Sequence, residues 1–190
     1  IKYDMYLLSL STMLRLFSDE EDRRKNSHIC HRDLLKQGNL TRFEDLPMGS
    51  FVIFVSHQWN GFEHPDPNGV QLQVLCSMFR KLRDGRFHKV ETDPIHVIIY
   101  KENITTSSSE WMTLMENAYV WYDFWSQPQP SQETDKDRIV QTGKDLKLAI
   151  DSVAAYVERA DMLVILAPSS VHADMLDKQT GRKVYTCYRT

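Results

Sequence analysis

Apolar residues in this chain occur either in short unbroken runs or at helical spacing. The clearest run is Phe51–Val55, which leads directly into Ser56, His57, Gln58 and Trp59. A short run rich in β-branched and aromatic residues is typical of a strand buried on both faces, as in the middle of a parallel sheet. We therefore predict a central strand whose polar tip lies where open α/β sheets bind ligands.

Three more apolar runs predict strands, and four amphipathic stretches predict helices. Because helical patterns separate the strands, the sheet should be mainly parallel, with right-handed crossovers.

Asp66 before Pro67 predicts a helix N-cap, and Ser107 with Glu110 has the spacing of a capping box. The charged segment 19–25 predicts a solvated connection, and 33–46 predicts a short helix and a loop. The predicted strands are 95–100, 118–125 and 162–167, and the predicted helices are 3–17, 70–82, 110–115 and 146–157, with Val74 and Ile150 among their buried residues.

Composition narrows the class of protein. The 190 residues suffice for one domain with a sizeable core. A net charge of −3 gives no general field that would attract nucleic acid, so we predict no such partner. Three widely spaced cysteines favour a reducing compartment, the cytoplasm, over a disulfide framework. No apolar run approaches the roughly 18 residues of a membrane span, so no membrane segment is predicted.

The two ends of the chain carry no terminal signals. The chain starts at Ile1 without an initiator Met, and it stops at Thr190 without a helix-ending or turn signal. We therefore expect it to be a piece of a longer protein, truncated at its C-terminal end.

Polar and aromatic residues follow three of the predicted strands. In a parallel sheet, the carboxyl ends of these strands meet at one edge, so the groups should line a shared site. Indole rings supply stacking faces, and hydroxyl and amide groups supply hydrogen bonds, which suits a ligand with a flat ring and a sugar or phosphate. The predicted site residues are Ser56, His57, Gln58 and Trp59, then Asp123, Trp125, Ser126 and Gln127, and finally Ser169, Ser170 and His172.

Other chemistries fit the sequence less well. Ser56, His57 and Asp123 contain the groups of a serine hydrolase, but neighbouring residues of a strand point to opposite faces, and no G-x-S-x-G motif occurs. Phosphate-loop motifs are also missing from the sequence. His28, Cys30 and His31 have no second cluster nearby to complete a zinc site, so no metal is predicted.

The order of these motifs resembles that of Toll/interleukin-receptor (TIR)-like domains. The resemblance is carried by the run from Phe51 to Trp59, by Val-Trp-Tyr-Asp at 120–123, and by Asp-Met-Leu-Val-Ile-Leu-Ala-Pro at 161–168. It implies a flavodoxin-like α/β sheet, mainly parallel with about four to five strands and helices on both faces. It covers residues 50–190, which leaves 1–49 as a helical extension packed on the sheet.

The resemblance also implies a function. TIR-like domains signal by self-association with like domains, and some cleave NAD at the nicotinamide bond. By position, Ser56, His57 and Trp59 match the strand tip beside the nucleotide pocket, and Ser169 and Ser170 belong to the loop after the later strand. Residues Asp123 to Gln129 match the loop that gates assembly, which makes Ser126, Gln127, Pro128 and Gln129 the expected interface.

One departure from the family bears directly on catalysis. The family's catalytic glutamate lies on the helix after the later strand, whereas this chain has no glutamate after Glu158. We therefore expect the chain as it stands to be inactive and its catalytic residues to be unknown. Three interpretations remain open: a self-associating signalling domain with NAD as a candidate ligand, an NAD nucleosidase whose glutamate lies beyond residue 190, and a scaffold domain without a ligand.

Overall fold

A computed structural model describes residues 1–176 and 180–186 of the chain. The fold is α/β, with a mixed five-stranded sheet in the order β2-β1-β6-β3-β7 and two separate two-stranded sheets. The strands are β1 (Tyr6–Ser9), β2 (Leu40–Arg42), β3 (Phe51–His57), β4 (Lys89–Glu91), β5 (Thr105–Ser107), β6 (Ala118–Tyr122), β7 (Met162–Leu166), β8 (Ser170–Leu176) and β9 (Lys183–Thr186). The helices are α1 (Leu10–Leu16), α2 (Glu20–Asn26), α3 (His31–Lys36), α4 (Val70–Arg83), α5 (Pro94–Tyr100), α6 (Ser108–Glu116), α7 (Asp123–Ser126), α8 (Lys136–Ile150) and α9 (Val153–Glu158).

Strand β3 lies between β6 and β7 and is parallel to both. Val55 lies opposite Tyr122, and His57 lies opposite Leu166. The prediction of a central parallel strand is therefore confirmed. The flavodoxin-like, mainly parallel core predicted for the sheet is also present, and β1 and β2 extend it as antiparallel strands.

Helices cover both faces of this sheet. Alternate residues of β3 enter two different cores, because successive side chains of a strand point to opposite faces. Ile53 and Val55 pack with residues of α1, α3, α4 and α6, whereas Val52 and Phe54 pack with Trp121 and with Tyr156 of α9. On the second face, the rings of Phe54 and Trp121 stack with centroids 4.2 Å apart.

The N-terminal segment differs from the prediction of one helix over 3–17. Residues 6–9 form β1, and the helix begins only at Leu10, after Ser9 accepts a hydrogen bond from the Thr12 amide as its N-cap. The apolar residues at 5–8 fit a strand because both faces of β1 are covered: Leu7 and Leu8 are fully buried in opposite cores. Residues 1–49 thus supply two strands of the sheet, which corrects the prediction of a helical extension packed on it.

Two further segments are helical against expectation. Residues 94–100 form α5 and not a strand, because Asp93 caps the first turn and Pro94 occupies its first position. Its residues Ile95, Ile98 and Ile99 are more than 60% exposed, so the run is apolar without being buried. The charged segment at 20–26 forms α2, which buries none of its residues.

Several boundaries and buried faces of the elements also differ from the predictions. The strand predicted at 118–125 ends at Tyr122, where α7 begins, and the helix predicted at 146–157 is interrupted at 151–152 between α8 and α9. Ile150 and Val74 are exposed. Strand β7 is buried on one face only: Leu163 and Ile165 are 52% and 71% exposed. The helices predicted at 70–82 and 110–115 are confirmed as α4 and α6, and the Ser107–Glu110 capping box is present.

Within the part of the chain that the structure describes, no helix is long and apolar enough to cross a membrane.

His31, at the start of α3, ties the N-terminal segment to α7. Its Nδ1 donates a hydrogen bond of 2.8 Å to the carbonyl of Trp125, which fixes the proton on that nitrogen. The ring is 3% exposed, and burial lowers the pKa of His31 to about 4. The folded protein therefore keeps this imidazole neutral in mild acid, where the unfolded chain protonates it.

We predict that His31 makes the protein sensitive to acid. Between pH 6.5 and pH 4 the unfolded state binds a proton that the folded state does not, so the free energy of unfolding falls as the pH falls through this window. The full effect is on the order of 3 kcal/mol. Urea unfolding of His31→Asn at pH 7 and pH 4 should show a smaller loss than the parent, whereas exposed His28→Asn should behave as the parent. An equal acid loss in His31→Asn would contradict the prediction.

Candidate functional site

The carboxyl ends of β3 and β6 bring their polar residues together, as the parallel arrangement predicts. His57 ends β3, Trp59 follows two residues later, and Asp123 comes directly after β6. The Asp123 carboxylate joins them: its Oδ1 accepts from Nε2 of His57 at 2.7 Å, and its Oδ2 accepts from Nε1 of Trp59 at 2.7 Å. Oδ1 also accepts from the Phe124 amide at 2.6 Å, so three donors hold one carboxylate.

His57 is enclosed by aromatic side chains and backbone. Its side chain is 1% exposed, and the ring of Tyr122 stacks on it with centroids 4.1 Å apart and planes 8° apart. Burial, followed by the charges of Asp123, Asp66 and Cys76, raises the pKa of Tyr122 well above its ordinary value. Tyr122 therefore keeps its proton and can donate to Nδ1 of His57, 3.4 Å away.

Nδ1 of His57 also has a second possible hydrogen-bond partner. Nδ1 of His57 also lies 3.2 Å from the carbonyl oxygen of Gln58, which can only accept. With the proton on Nε2 alone, Nδ1 accepts a hydrogen bond from the Tyr122 hydroxyl group, whereas a proton on Nδ1 would be donated to the Gln58 carbonyl.

The loop after β3 is held by three side chains of its own sequence. Nδ1 of His64 accepts from the Asp66 amide at 3.0 Å, so Nε2 carries the proton and donates to the carbonyl of Ser27 at 2.7 Å. Gln71 donates to the carbonyls of Gln58 and Pro65. Asp66 accepts from the Leu72 amide through Oδ2. Asp66 therefore caps the first turn of α4 from a distance, while Gly69, and not Asp66, is the N-cap residue.

Strand β8 approaches the same loop from the other side. Ser170 donates to Oδ1 of Asn60 at 3.0 Å, and the Ala173 amide donates to the Asn60 carbonyl at 2.7 Å. The Phe62 amide donates to Asp174 at 2.8 Å. The loop is thereby fixed between β8 and α4.

The structure assembles only part of the predicted site. His57, Trp59 and Asp123 meet, but Ser56 is exposed on the face opposite His57, and Gln58 contributes its backbone carbonyl. Trp125 does not offer a free stacking face, because it is 3% exposed and stacks on Phe17 with centroids 5.0 Å apart. Ser169 is exposed, while Ser170 and His172 are buried against the loop that follows β3.

The predicted interface residues are mostly inaccessible in this conformation. Ser126 and Gln127 are 1% and 6% exposed, and Pro128 is also buried. The side chain of Ser126 points inward, and its Oγ accepts a hydrogen bond from the Tyr122 amide at 3.1 Å. Only Gln129, which is partly exposed, could contact a partner without rearrangement of this segment.

A cleft near α2 is lined by Tyr122 and Phe124, whose rings contact His57 and Trp59, but not by His57, Trp59 or Asp123 themselves. Its inner chamber, about 20 Å³ in volume, has room for one water-sized group and is lined by Tyr122, Phe124, Trp125, His64 and Asp66 among others. Its outer chamber measures about 450 Å³ and is polar. Arg23, Ser27 and Gly69 line both chambers, so the two lie next to each other.

No family model, curated protein or solved structure matches this chain. The site therefore has to be interpreted from its own geometry. Among the residues that the structure describes, no group of three or more His, Cys, Asp or Glu side chains could hold a metal ion.

Four polar residues of the site were not predicted as such. Tyr122 and Gln71 lie within apolar patterns, and His64 and Asp66 lie in a loop whose turn residues conceal them. The best available signal was the segment His-Pro-Asp-Pro at 64–67, because Asp before Pro favours a fixed turn with its carboxylate near a helix start. Arg23 could not be predicted either, because in the sequence it is one residue of a charged run.

We predict that Asp123→Asn destabilises the protein. The amide cannot accept from both His57 and Trp59 as a carboxylate does, and the free energy of unfolding should fall by about 1–3 kcal/mol. Trp59→Phe should lower it by less, and the double variant should lose less than the sum of the two, because both changes remove the same hydrogen bond. Additive losses, measured by urea unfolding, would show that the pair does not interact.

Proposed function

We propose that this chain is a TIR-like signalling domain of the cytoplasm that binds a nucleotide of the NAD type and self-associates. The observation that carries the proposal is the His57–Asp123–Trp59 cluster at the carboxyl ends of two parallel strands, whose ring partners Tyr122 and Phe124 line the inner chamber of a cleft. Open α/β sheets bind ligands at this edge. The motif order that resembles TIR-like domains supports the same assignment.

The composition of the cleft suits a nucleotide. Polar and charged side chains line its outer chamber, Arg23 lines both chambers, and the acidic Asp66 lies in the small inner one. Ribose hydroxyls need acceptors, and phosphates need cations and amide donors. A ligand that combines these groups would use both chambers.

We expect NAD to bind to the wild-type protein in isothermal titration calorimetry. Asp123→Ala should weaken binding at least tenfold, because loss of the shared carboxylate releases His57 and Trp59, whose ring partners Tyr122 and Phe124 line the cleft. Asp137→Ala, an exposed carboxylate on α8, should bind as the wild type. Following free nicotinamide in the same samples separates the interpretations: binding without release fits a sensor, and release fits a nucleosidase. Absence of binding at millimolar NAD would leave only the scaffold interpretation.

Self-association is supported by strand β7. It is the last strand of the five-stranded sheet, and its outer face carries the exposed side chains of Leu163 and Ile165. An unpaired edge strand with apolar side chains favours pairing with another chain. We propose a second copy of this chain as the partner, as in the homotypic contacts that the resemblance implies.

We expect the wild-type protein to form dimers or larger assemblies at high concentration. Ile165→Glu should shift the population toward monomer in size-exclusion chromatography with light scattering, because it places a charge on the apolar edge. Ile104→Glu is a matched control, since Ile104 is 66% exposed and Ile165 is 71% exposed, but Ile104 lies away from this sheet. Equal behaviour of the two variants would exclude β7 as the contact.

A further inference from the structure

We infer that α5 is a second self-association surface, through which two copies of this chain pair with their α5 helices antiparallel. In this pair, a stripe of isoleucines from each copy forms the centre, and Asp93 of each copy lies beside Lys101 of the other. Helix α5 lies between β4 and β5, which form a sheet of their own, whereas β7 belongs to the five-stranded sheet. The contact therefore extends the proposed self-association to a surface separate from β7.

Three isoleucines of α5 form one exposed apolar stripe. Ile95, Ile98 and Ile99 are 66%, 77% and 61% exposed. At 3.6 residues per turn, they lie within about 100° of one another around the helix axis. Val97, on the opposite side of the helix, is partly buried. The three side chains together expose on the order of 300 Å², a size at which apolar patches are often interaction sites.

The two strands that flank α5 bury no apolar surface of their own. β4 and β5 have three residues each, contain no buried residue, and pair with no other strand among the described residues. The described side chains of α5 are likewise exposed or only partly buried. An isolated two-stranded sheet is marginally stable in water, so this unit gains stability when a partner covers the stripe.

Hydrogen bonds at the base of α5 nevertheless hold the helix in place. Asp93 is its N-cap and accepts from the Ile95 amide at 2.8 Å. The Thr92 amide donates to the Ile104 carbonyl at 3.0 Å, and the Ile104 amide donates to Oγ1 of Thr92 at 2.8 Å. The stripe is thus presented on a preformed helix, which lowers the entropic cost of binding. Ile104 is not part of the stripe, since it lines a cleft with residues of β5 and α6.

The charges at the two ends of α5 favour a second copy as the partner. Asp93 stands at the N-terminal end and Lys101 at the C-terminal end, and neither forms an ion pair with another described residue. In an antiparallel pair, each acid meets the base of the other copy, which gives two ion pairs related by a two-fold axis. A parallel pair would bring like charges together and would align the two helix dipoles side by side.

The charge of the surrounding segment argues against a membrane or a nucleic acid as the partner. Both of these need a surface with net positive charge. Segment 86–102 has equal numbers of basic and acidic residues: Arg86, Lys89 and Lys101 against Glu91, Asp93 and Glu102. Two copies of the stripe bury well under the roughly 1,200 Å² of a stable complex, so the contact is weak and forms at high protein concentration.

The test removes the β7 contact first, so that only the α5 contact remains. Sedimentation velocity would measure the dimerisation constant of Ile165→Glu, alone and combined with Ile98→Glu or Val140→Glu. We expect Ile98→Glu to weaken dimerisation at least tenfold, because it places a charge in the middle of the apolar stripe. Val140→Glu is the matched control on α8, where Val140 is 60% exposed, and should change dimerisation less than about twofold. Circular dichroism should match among these proteins, because both added charges lie at exposed positions.

A mixture of two charge-reversed proteins tests the antiparallel arrangement. In the Ile165→Glu background, Lys101→Glu and Asp93→Lys each put like charges opposite one another when identical copies pair. Each protein alone should therefore dimerise about fivefold more weakly than the parent. An equimolar mixture should recover the parent's dimerisation, because both pairs then join opposite charges. Asp93→Lys also removes the N-cap of α5, so circular dichroism must show that it is folded, and the Ile98→Glu comparison does not depend on it.

Each alternative result has a definite meaning. Equal dimerisation of Ile165→Glu with and without Ile98→Glu would overturn the α5 contact and leave the β7 contact standing, and so would an Ile165→Glu protein that stays monomeric. If Ile165→Glu assembles like the wild type while Ile98→Glu dissociates it, the α5 contact is supported and the β7 contact is contradicted. A folded mixture that dimerises no better than its two components would overturn the antiparallel pair.

Discussion

The parallel placement of β3 between β6 and β7 is the constraint on which the rest of this structure depends. Four consecutive residues of β3, from Val52 to Val55, are buried, because both faces and both edges of the strand are covered. The chain can place polar groups only after this run. His57 and Trp59 therefore emerge at the same edge as Asp123, which follows the parallel strand β6. Had β6 been antiparallel, its carboxylate would lie at the opposite end of the sheet.

The parts of the fold that could be predicted are those in which local pattern and burial agree. β3 and α4 have apolar runs or stripes that the core then buries, and the capping box of α6 is a purely local signal. The failures share a cause, since apolar spacing does not reveal what covers a segment. Residues 3–17 have helical spacing, yet the first part becomes a strand because β2 and β6 pair with both of its edges. In α5, the Asp93 cap and Pro94 outweigh the strand preference of its isoleucines.

The location of the candidate site could be predicted from the sequence, but only some of the residues that form it could. Strand ends could be located from the sequence, and they identify His57, Trp59 and Asp123. The predicted stacking on Trp125 is wrong because a side chain's environment depends on tertiary neighbours, and Phe17 covers this ring. Asp123 binds the indole nitrogen of Trp59, whose use as a stacking face stays a prediction. His64, Asp66 and Gln71 act through bonds to backbone groups of one loop. Such bonds satisfy buried polar groups, and no pattern of residue types in the sequence predicts them.

The first 49 residues belong to the same structural unit as the parallel strands β3, β6 and β7. β1 covers the edge of β6, and α1 with α3 contributes Met13, Leu14 and Leu34 to the core that also holds Ile53 and Val55. Without this segment, the amides and carbonyls of β6 would lose their partner strand and this core would be open to water. The segment just before α2 is fixed by the same packing, because Phe17 is buried against Trp125. The polar cleft is therefore formed by both parts of the chain, and a boundary at residue 50 has no counterpart in the packing.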